Sequence, residues 1–394
     1  MSGAGVADLT VDVLADRATE ATGLADFGGD TWREALDRLL DSLLHEARLS
    51  ELGVAVVADE LAGYLTTRLE VVAERTRQPE IAEAPVTPPI VIIGQGRTGT
   101  TILYDLLAQD PATRVPLTWE VERPCPPPDV ATYDTDPRID EVDARLAGID
   151  LVLPEFRTMH PMGARLAQEC VRMTALEFRS FIFPTQYRVP SYARWLLDEA
   201  DMAPAYRWHR TFLQHLQSRH PVRRWLVKSP GHIWHLDALL AEYPDALLVQ
   251  THRDPLRIIA SLGSLVPTLR SLASEDVSAP EAAAEFADYI VEGLDRSVQA
   301  RRDGTVPAEQ VVDTQFAAFM ADPLATIGTI YDRFGVELTA EAQQRMRAFI
   351  DTHPADQHGR HRYTFAATGL DAAELRERTS AYRSFFGVPI EPLP

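Results

Sequence analysis

The sequence has few cysteines, no long apolar run and no excess of positive charge. Cys125 and Cys170 are its 2 cysteines, too few for a disulfide framework or a cysteine zinc site, so we expect two reduced thiols. No apolar run approaches the roughly 18 residues of a membrane-spanning helix, so no membrane span is predicted. The first residues lack the basic and apolar regions of a signal peptide, which predicts a cytoplasmic protein. A formal charge of −20 disfavours nucleic acid as a partner.

An anion-binding turn is the strongest positive feature. Residues 90 to 107 read as a short apolar strand, a glycine-rich turn and an amphipathic helix that begins near Gly99. Such a turn points main-chain N–H groups and a helix N-terminus at one place, which holds an oxyanion without a metal. Gly94 and Gly99 have the spacing of a nucleotide-hydrolase phosphate loop, but Thr100 stands where that loop has lysine. Arg97, inside the turn, can bind two oxygens of one phosphate.

A second ligand-binding edge is predicted further along the chain. One strand, 224 to 227, ends at Lys228, and another, 246 to 251, leads into Arg253. Asp254 and Pro255 suit the cap and first position of a helix, so Arg253 should lie between a strand end and a helix start. In a doubly wound sheet, ligands bind at that edge.

These motifs together resemble the sulfotransferases that use 3′-phosphoadenosine 5′-phosphosulfate (PAPS). The turn resembles their 5′-phosphosulfate loop, while Arg253 and Ser261, 8 residues apart, resemble their 3′-phosphate pair. The segment from Lys228 to Pro244 resembles the bacterial and tyrosylprotein branches, and the similarity covers about residues 88 to 388. One departure is Gly96, which stands where many relatives have proline and gives the loop extra backbone freedom.

The resemblance implies a fold, a reaction and a set of site residues. The fold is α/β, a P-loop-like parallel sheet flanked by helices, with an N-terminal all-helical extension and a helical insertion. The reaction is transfer of a sulfuryl group from PAPS to a hydroxyl or amine of a small-molecule acceptor, with 3′,5′-adenosine bisphosphate (PAP) as product and no metal. Lys228 would pair with the leaving-group oxygens. The phosphates would be held by Arg97, Thr98, Gly99, Thr100 and Thr101 on the 5′ side, and by Arg253, Ser261 and, more loosely, Arg360 on the 3′ side.

The acceptor hydroxyl also needs a general base. Relatives of the tyrosylprotein type use a glutamate shortly after the loop helix, and Glu120 falls near that place, with Glu122 as the alternative. Burial beside Trp119 would raise the pKa of such a glutamate toward neutrality, which suits a base. The cytosolic branch uses a histidine instead, so His160 and His232 remain open.

Two domains are predicted, a helical extension over residues 1 to 85 and a sulfotransferase-like domain over residues 88 to 394. Thr31 and Glu34 form a capping-box pattern before a leucine stripe at helical spacing. Gly53 is expected to break that helix, and a second helix is expected from Val54 to Arg75. The stripes need cover, which either the catalytic domain or a second subunit of a homodimer supplies.

The rest of the chain continues the α/β pattern. A proline-rich linker is expected over 78 to 89, helices over 165 to 182, 192 to 199 and 206 to 218, a strand over 310 to 314 and a helix from Pro323 to Phe334. Aromatic residues near the insertion favour a lipid, polyketide or phenolic acceptor: Trp119, Phe156, Phe178, Phe181, Phe183, Tyr187, Tyr192 and Trp195.

Three alternatives to a sulfotransferase stay open at this point. A small-molecule kinase would keep the fold and require ATP and Mg²⁺. A nucleotide-binding module would keep the site without turnover. Sulfation that drives an elimination would make the net reaction a dehydration.

Overall fold

A parallel sheet forms the centre of the molecule in the computed structural model, which describes residues 5, 8–152, 159, 162–353 and 363–394. Within these residues the strands are β1 (Ile90–Ile93), β2 (Leu226–Lys228), β3 (Leu247–His252) and β4 (Val311–Gln315). Their order across the sheet is β2-β1-β3-β4, and every neighbouring pair is parallel. The predicted α/β class with a parallel sheet flanked by helices is therefore confirmed.

The topology predicts a ligand-binding crevice beside β1. From β1 the chain passes to β2 on one side, and it then crosses over β1 to reach β3 on the other side. The strand order thus reverses at β1, which is where open α/β sheets bind ligands, outside the carboxyl ends of the strands. The glycine-rich turn leaves β1 at that edge.

Helices cover both faces of the sheet because β1 is apolar on both. Its side chains alternate, so that Val91 and Ile93 join one hydrophobic cluster while Ile90 and Ile92 join another on the opposite face. The α-helices of the described residues are Val11–Thr22, Thr31–Glu46, Glu51–Arg77, Glu80–Glu83, Thr100–Leu107, Thr118–Glu122, Pro137–Val152, Cys170–Thr174, Ile182–Gln186, Pro190–Asp198, Ala203–Gln217, Leu236–Glu242, Pro255–Arg270, Ala279–Arg302, Phe316–Ala321, Pro323–Phe334, Ala340–Thr352, Ala372–Arg378 and Ser380–Phe386.

Most predicted elements form within three residues of the expected positions, with two exceptions. The expected linker contains a short helix, Glu80–Glu83. The segment 165 to 182 was expected to be helical, but its helix is limited to Cys170–Thr174, a 3₁₀ turn and the start of Ile182–Gln186. Phe178 ends the 3₁₀ turn at a φ of 52°, a left-handed backbone that stops a continuous helix.

The capping box predicted at the second helix is wrong. Asp30 occupies the cap position of helix Thr31–Glu46 without a side-chain cap bond. The hydroxyl of Thr31 instead donates to Glu177 Oε2 at 2.9 Å. The Thr31 hydroxyl therefore bonds to a carboxylate of the insertion and not to a backbone N–H at its own helix end, as the local pattern predicted.

The prediction that Gly53 ends the preceding helix is wrong, because that helix already ends at Glu46. Gly53 lies in the first turn of helix Glu51–Arg77, where its N–H donates to the Ser50 side chain at 2.9 Å. A Cβ at this position would lie 1.9 Å from the Ala273 carbonyl oxygen. The glycine therefore permits a close approach between the N-terminal helices and the α/β part.

The leucine stripe of the extension is buried against the chain itself. Leu36, Leu39, Leu40 and Leu43 are buried in the same cluster as helix Pro190–Asp198, while Leu44 is 38% exposed. An interior ion pair, Arg68 Nη1 to Glu177 Oε1 at 2.7 Å, joins the extension to the insertion as well. A second subunit was the alternative way to bury this stripe, and the homodimer stays a prediction.

Candidate active site

The glycine-rich turn is fixed against the neighbouring strand β3. Gly94 has a φ of 118°, and a Cβ there would lie 2.6 Å from the Thr251 carbonyl oxygen. Thr98 is buried, and its hydroxyl lies 2.6 Å from both the Gln95 carbonyl oxygen and the Thr251 hydroxyl. A residue with a Cβ would clash with β3 at this φ, so position 94 requires glycine.

The turn opens a cradle at the start of helix Thr100–Leu107. Gly99 caps this helix at a φ of 87°, and no side chain bonds to its first N–H groups. These N–H groups have no partners within a helix, so they are donors for an anion. Gln95 Nε2, in the same turn, is buried without a hydrogen-bond partner and lies beside Gly293, away from these N–H groups. The helix N-terminus is therefore the part of the turn that can accept a phosphate.

Arg97 links the turn to the predicted 3′-phosphate residues. It is a non-glycine residue at a φ of 68°, a sparsely populated conformation that functional sites often hold. Its Nε donates to the Ser261 hydroxyl at 2.9 Å, and its Nη1 donates to the Met159 carbonyl at 3.1 Å. Burial lowers the pKa of its guanidinium, with the Arg253 charge acting in the same direction.

Arg253 lies against the same turn. Its Nη1 donates to the Arg97 carbonyl at 3.0 Å, and its guanidinium carbon lies 3.9 Å from the centre of the Phe316 ring. The predicted cap is present, because Asp254 accepts the Leu256 N–H at 3.0 Å. The structure thus brings Arg97, Arg253 and Ser261 together, although 8 helical residues alone would separate the last two by about 12 Å.

Lys228 ends β2 one strand away from the turn, where it pairs in register with Ile92. The lysine is 2% exposed, and its ammonium contacts the Glu169 carboxylate. The Tyr104 ring centre lies 5.5 Å from Nζ. Burial raises the pKa of the adjacent Asp105 to about 6, against the opposing effect of the Lys228 charge.

The sequence analysis missed Glu169. This residue caps helix Cys170–Thr174 and reaches Lys228 from 59 positions away in the sequence. A buried ammonium at a strand end needs a counter-charge, which could have prompted a search of the insertion for a carboxylate. Nothing in the local pattern indicated which acidic residue would be brought there.

Glu120, the predicted base, is fully buried and bonded on both oxygens. Oε1 contacts the Arg114 guanidinium, and Oε2 accepts the Leu117 N–H at 2.7 Å. Burial raises the pKa of Glu120, while Arg114 opposes that rise. Arg114 also donates to the His220 carbonyl at 2.5 Å. The Arg114–Glu120 ion pair therefore connects helix Thr118–Glu122 to the segment that follows helix Ala203–Gln217. The structure gives Glu120 no contact with Lys228 among the described residues, and its role as base stays a prediction.

The other candidates for the base differ in their surroundings. Glu122 forms an ion pair with Arg145. His232 is buried, and its Nδ1 lies 3.0 Å from the Tyr206 hydroxyl. Burial lowers the pKa of His232, so this imidazole is neutral. His160 and Arg360 lie outside the described residues.

The aromatic residues expected to line an acceptor pocket are core residues. Seven of them are at most 7% exposed, and Phe156 lies outside the described residues; the seven are Trp119, Phe178, Phe181, Phe183, Tyr187, Tyr192 and Trp195. Phe181, for example, stacks on Trp234 with 4.1 Å between ring centres. These rings do not themselves indicate an acceptor.

The described residues contain neither a cluster of metal ligands nor a membrane-spanning helix. Histidine, cysteine, aspartate and glutamate form no group of three or more that could hold a metal ion. No helix in the described ranges has the length and apolar character to cross a membrane.

Comparison with known proteins agrees with this geometry. Residues 88–340 match the model of the Sulfotransferase family. The crystal structure of sulfotransferase STF9 from Mycobacterium avium superposes with a TM-score of 0.89 at 31% identity, over 97% of this chain and 98% of that chain. Sulfotransferase STF1 from Mycobacterium tuberculosis H37Rv gives a TM-score of 0.84 at 35% identity, over 94% and 98%.

A curated relative matches over a shorter stretch. The omega-hydroxy-beta-dihydromenaquinone-9 sulfotransferase Stf3 of Mycobacterium bovis is 28% identical over 188 residues, and the match spans 46% of each protein. The chain thus spans about half the length of this relative. The family match covers more than half of the chain, and the two crystal structures match nearly all of it. The chain therefore belongs to the sulfotransferase family.

Proposed function

We propose that the protein transfers a sulfuryl group from PAPS to a hydroxyl of a small-molecule acceptor, without a metal ion. The observation that carries this proposal is the position of Arg97, whose side chain bonds to Ser261 while its carbonyl accepts from Arg253. One residue thereby joins a 5′-phosphate cradle to a second cationic subsite. A nucleotide with phosphates at both its 5′ and 3′ positions fits such a pair of subsites.

The chain supplies the positioning and the charge that this transfer needs. When the sulfur–oxygen bond to the acceptor forms and the bond to the 5′-phosphate breaks, negative charge grows on the phosphate oxygen. The Lys228 ammonium and the guanidinium of Arg97 are the cations that stabilise it. The turn and the N-terminus of helix Thr100–Leu107 hold the phosphate in line.

We assign the general base to Glu169. Its carboxylate contacts Lys228, so it lies beside the leaving group, and it begins a helix of the insertion that walls this side of the site. It would take the proton of the acceptor hydroxyl as the new bond forms. When the donor is bound, Lys228 would turn toward the phosphate oxygen, and the Glu169 carboxylate would face the acceptor hydroxyl.

The acceptor in this proposal is a hydroxylated, largely apolar small molecule. The support is the similarity to the Mycobacterium bovis relative, which is named as a sulfotransferase of a hydroxylated menaquinone. Transfer of radioactive sulfate from labelled PAPS to a long-chain primary alcohol, a phenol and a sugar tests this. Preferential labelling of the sugar would contradict an apolar acceptor.

Calorimetric titration tests the nucleotide. We expect PAP to bind far more tightly than ATP with Mg²⁺, because two cationic subsites match its two phosphates. Preference for ATP with Mg²⁺ would favour the kinase alternative and contradict the proposal. Mass analysis of the product then distinguishes a sulfated product from the dehydrated one.

A further inference from the structure

The carboxylate of Glu391 forms an ion pair with Arg253, the arginine that we assign to the 3′-phosphate. Glu391 and Pro392 lie beside Arg253 and Arg257. Nε of Arg253 lies 3.1 Å from Glu391 Oε1, and Nη2 lies 3.2 Å from Glu391 Oε2. Arg257, one turn into the next helix, has its Nε 3.6 Å from the same carboxylate. The two oxygens therefore take the forked edge with which arginine also binds phosphate.

The other parts of the Arg253 guanidinium are already in use. Nη1 donates to the Arg97 carbonyl at 3.0 Å, and the face of the group stacks on the Phe316 ring. Its Nε–Nη2 edge is thus the one best placed to take a phosphate in the two-point geometry. A phosphate dianion and a carboxylate on the same edge repel each other, so the two anions cannot share it.

The main chain around Glu391 is anchored independently of its side chain. The Glu391 N–H donates to Asp254 Oδ2 at 2.7 Å, and Arg376 donates to Asp254 Oδ1 at 2.5 Å. Arg257 Nη1 donates to the Pro392 carbonyl at 3.1 Å. Because the Glu391 side chain is 25% exposed, it can rotate toward solvent while these bonds remain.

We propose that Glu391 competes with the 3′-phosphate of the nucleotide for Arg253. In the nucleotide-free enzyme its carboxylate neutralises the arginine, and it leaves the guanidinium when the 3′-phosphate enters. Nucleotides without a 3′-phosphate do not displace it. This inference rests on the proposed function, because it takes the Arg253 subsite as the 3′-phosphate site.

Calorimetry on the full chain tests the competition with PAP and AMP, which differ in the 3′-phosphate. The variants are Glu391→Gln and Glu391→Ala, and Glu374→Gln, an exposed residue on the nearby helix Ala372–Arg378, is the control. Removal of the competing charge is expected to lower the Kd of PAP by about tenfold in both Glu391 variants. The Kd of AMP should not change, and the control should match the wild type.

Two results would overturn the inference. Weaker PAP binding in both Glu391 variants would mean that the carboxylate orients Arg253 for the phosphate. An unchanged Kd would mean that the two anions do not share the guanidinium. A wild type that binds PAP no better than AMP would instead remove the 3′-phosphate subsite, and with it the proposed function.

A double-mutant comparison makes the test specific to the Arg253 contact. In the Arg253→Ala background, Glu391→Gln should no longer improve PAP binding, because the two anions have lost the cation for which they compete. An improvement of the same size in that background would place the effect of Glu391 elsewhere and overturn the assignment to Arg253. Melting temperatures of each variant check that the fold is retained.

Discussion

The phosphate side and the lysine side of the site are built in different ways. On the phosphate side, Arg97, Arg253 and Ser261 come from motifs whose spacing is visible in the sequence, and short contacts join them. On the lysine side, Lys228 meets a carboxylate, Glu169, from a distant part of the insertion. The first side depends on local backbone geometry, and the second depends on how the insertion packs on the sheet. Substitutions on the phosphate side should therefore change nucleotide affinity, and substitutions on the lysine side should change kcat.

The largest expected effect is on the lysine side. Glu169→Gln should lower kcat by about a thousandfold while the Kd of PAP changes little, because it removes the proposed base and leaves the phosphate subsites intact. Steady-state rates and PAP titration measure the two quantities.

Glu120→Gln is the matched comparison for that prediction. It weakens a buried ion pair with Arg114, so we expect a lower melting temperature and a largely retained kcat. The opposite pattern, with kcat lost in Glu120→Gln and kept in Glu169→Gln, would make Glu120 the base.

The next effect is on the phosphate side. Arg253→Ala should weaken PAP binding by about 2 to 4 kcal/mol, because it removes a charge-assisted contact from a largely buried site. AMP binding should change less. Arg345→Ala, in an exposed ion pair with Glu341, serves as the control and should leave both affinities as they are. Equal losses for PAP and AMP would contradict the assignment of Arg253 to the 3′-phosphate.

A smaller effect concerns pH and stability on the lysine side. Burial raises the pKa of Asp105 from 3.8 to about 6 in the folded protein. A raised carboxyl pKa means that the folded state holds the proton more tightly than the unfolded state does. Its contribution to stability is therefore full below the unfolded value and is lost as the pH rises toward the folded value.

Asp105→Asn should remove this loss of stability at higher pH, because asparagine does not titrate. At pH 7 we expect the variant to be more stable than the wild type by about 2 kcal/mol, and the difference should shrink as the pH falls toward 4. Chemical denaturation at a series of pH values measures this. A difference that does not vary with pH would show that the Asp105 carboxyl is not the titrating group.

The smallest expected effect is in the glycine-rich turn. Gly96 has no left-handed backbone, and a Cβ there would meet only Leu262 and Pro230 side-chain atoms at 3.9 Å. Gly96→Ala should therefore stabilise the protein by about 0.4 to 1 kcal/mol, since it restricts the unfolded chain.

The affinity for PAP separates an effect on the turn from a general gain in stability. Gly63→Ala, in the long helix Glu51–Arg77 where an added methyl meets nothing within 4 Å, is the control. We expect both variants to melt higher and Gly96→Ala alone to bind PAP more tightly. Weaker PAP binding in Gly96→Ala would mean that the turn needs the freedom of glycine.

The sequence predicted the sheet and the elements that border the candidate site well because these features follow from local rules. The strand ending at Lys228, the cap at Asp254 and helix Pro323–Phe334 all formed as expected. Prediction was weaker where a distant partner decides. The Thr31 hydroxyl bonds to Glu177 instead of its own helix end, and Gly53 serves a contact with Ala273.

The sequence by itself determined the order and spacing of the glycine-rich turn, the strand-end lysine and the arginine before its helix, because β-strand alternation and helix capping act over a few residues. The tertiary structure alone decided that Glu169 faces Lys228 and that Glu391 takes the fork of Arg253. Both pairings join segments more than 50 residues apart. The packing of whole helices and strands brings such charged groups together, and a local sequence pattern does not predict that packing.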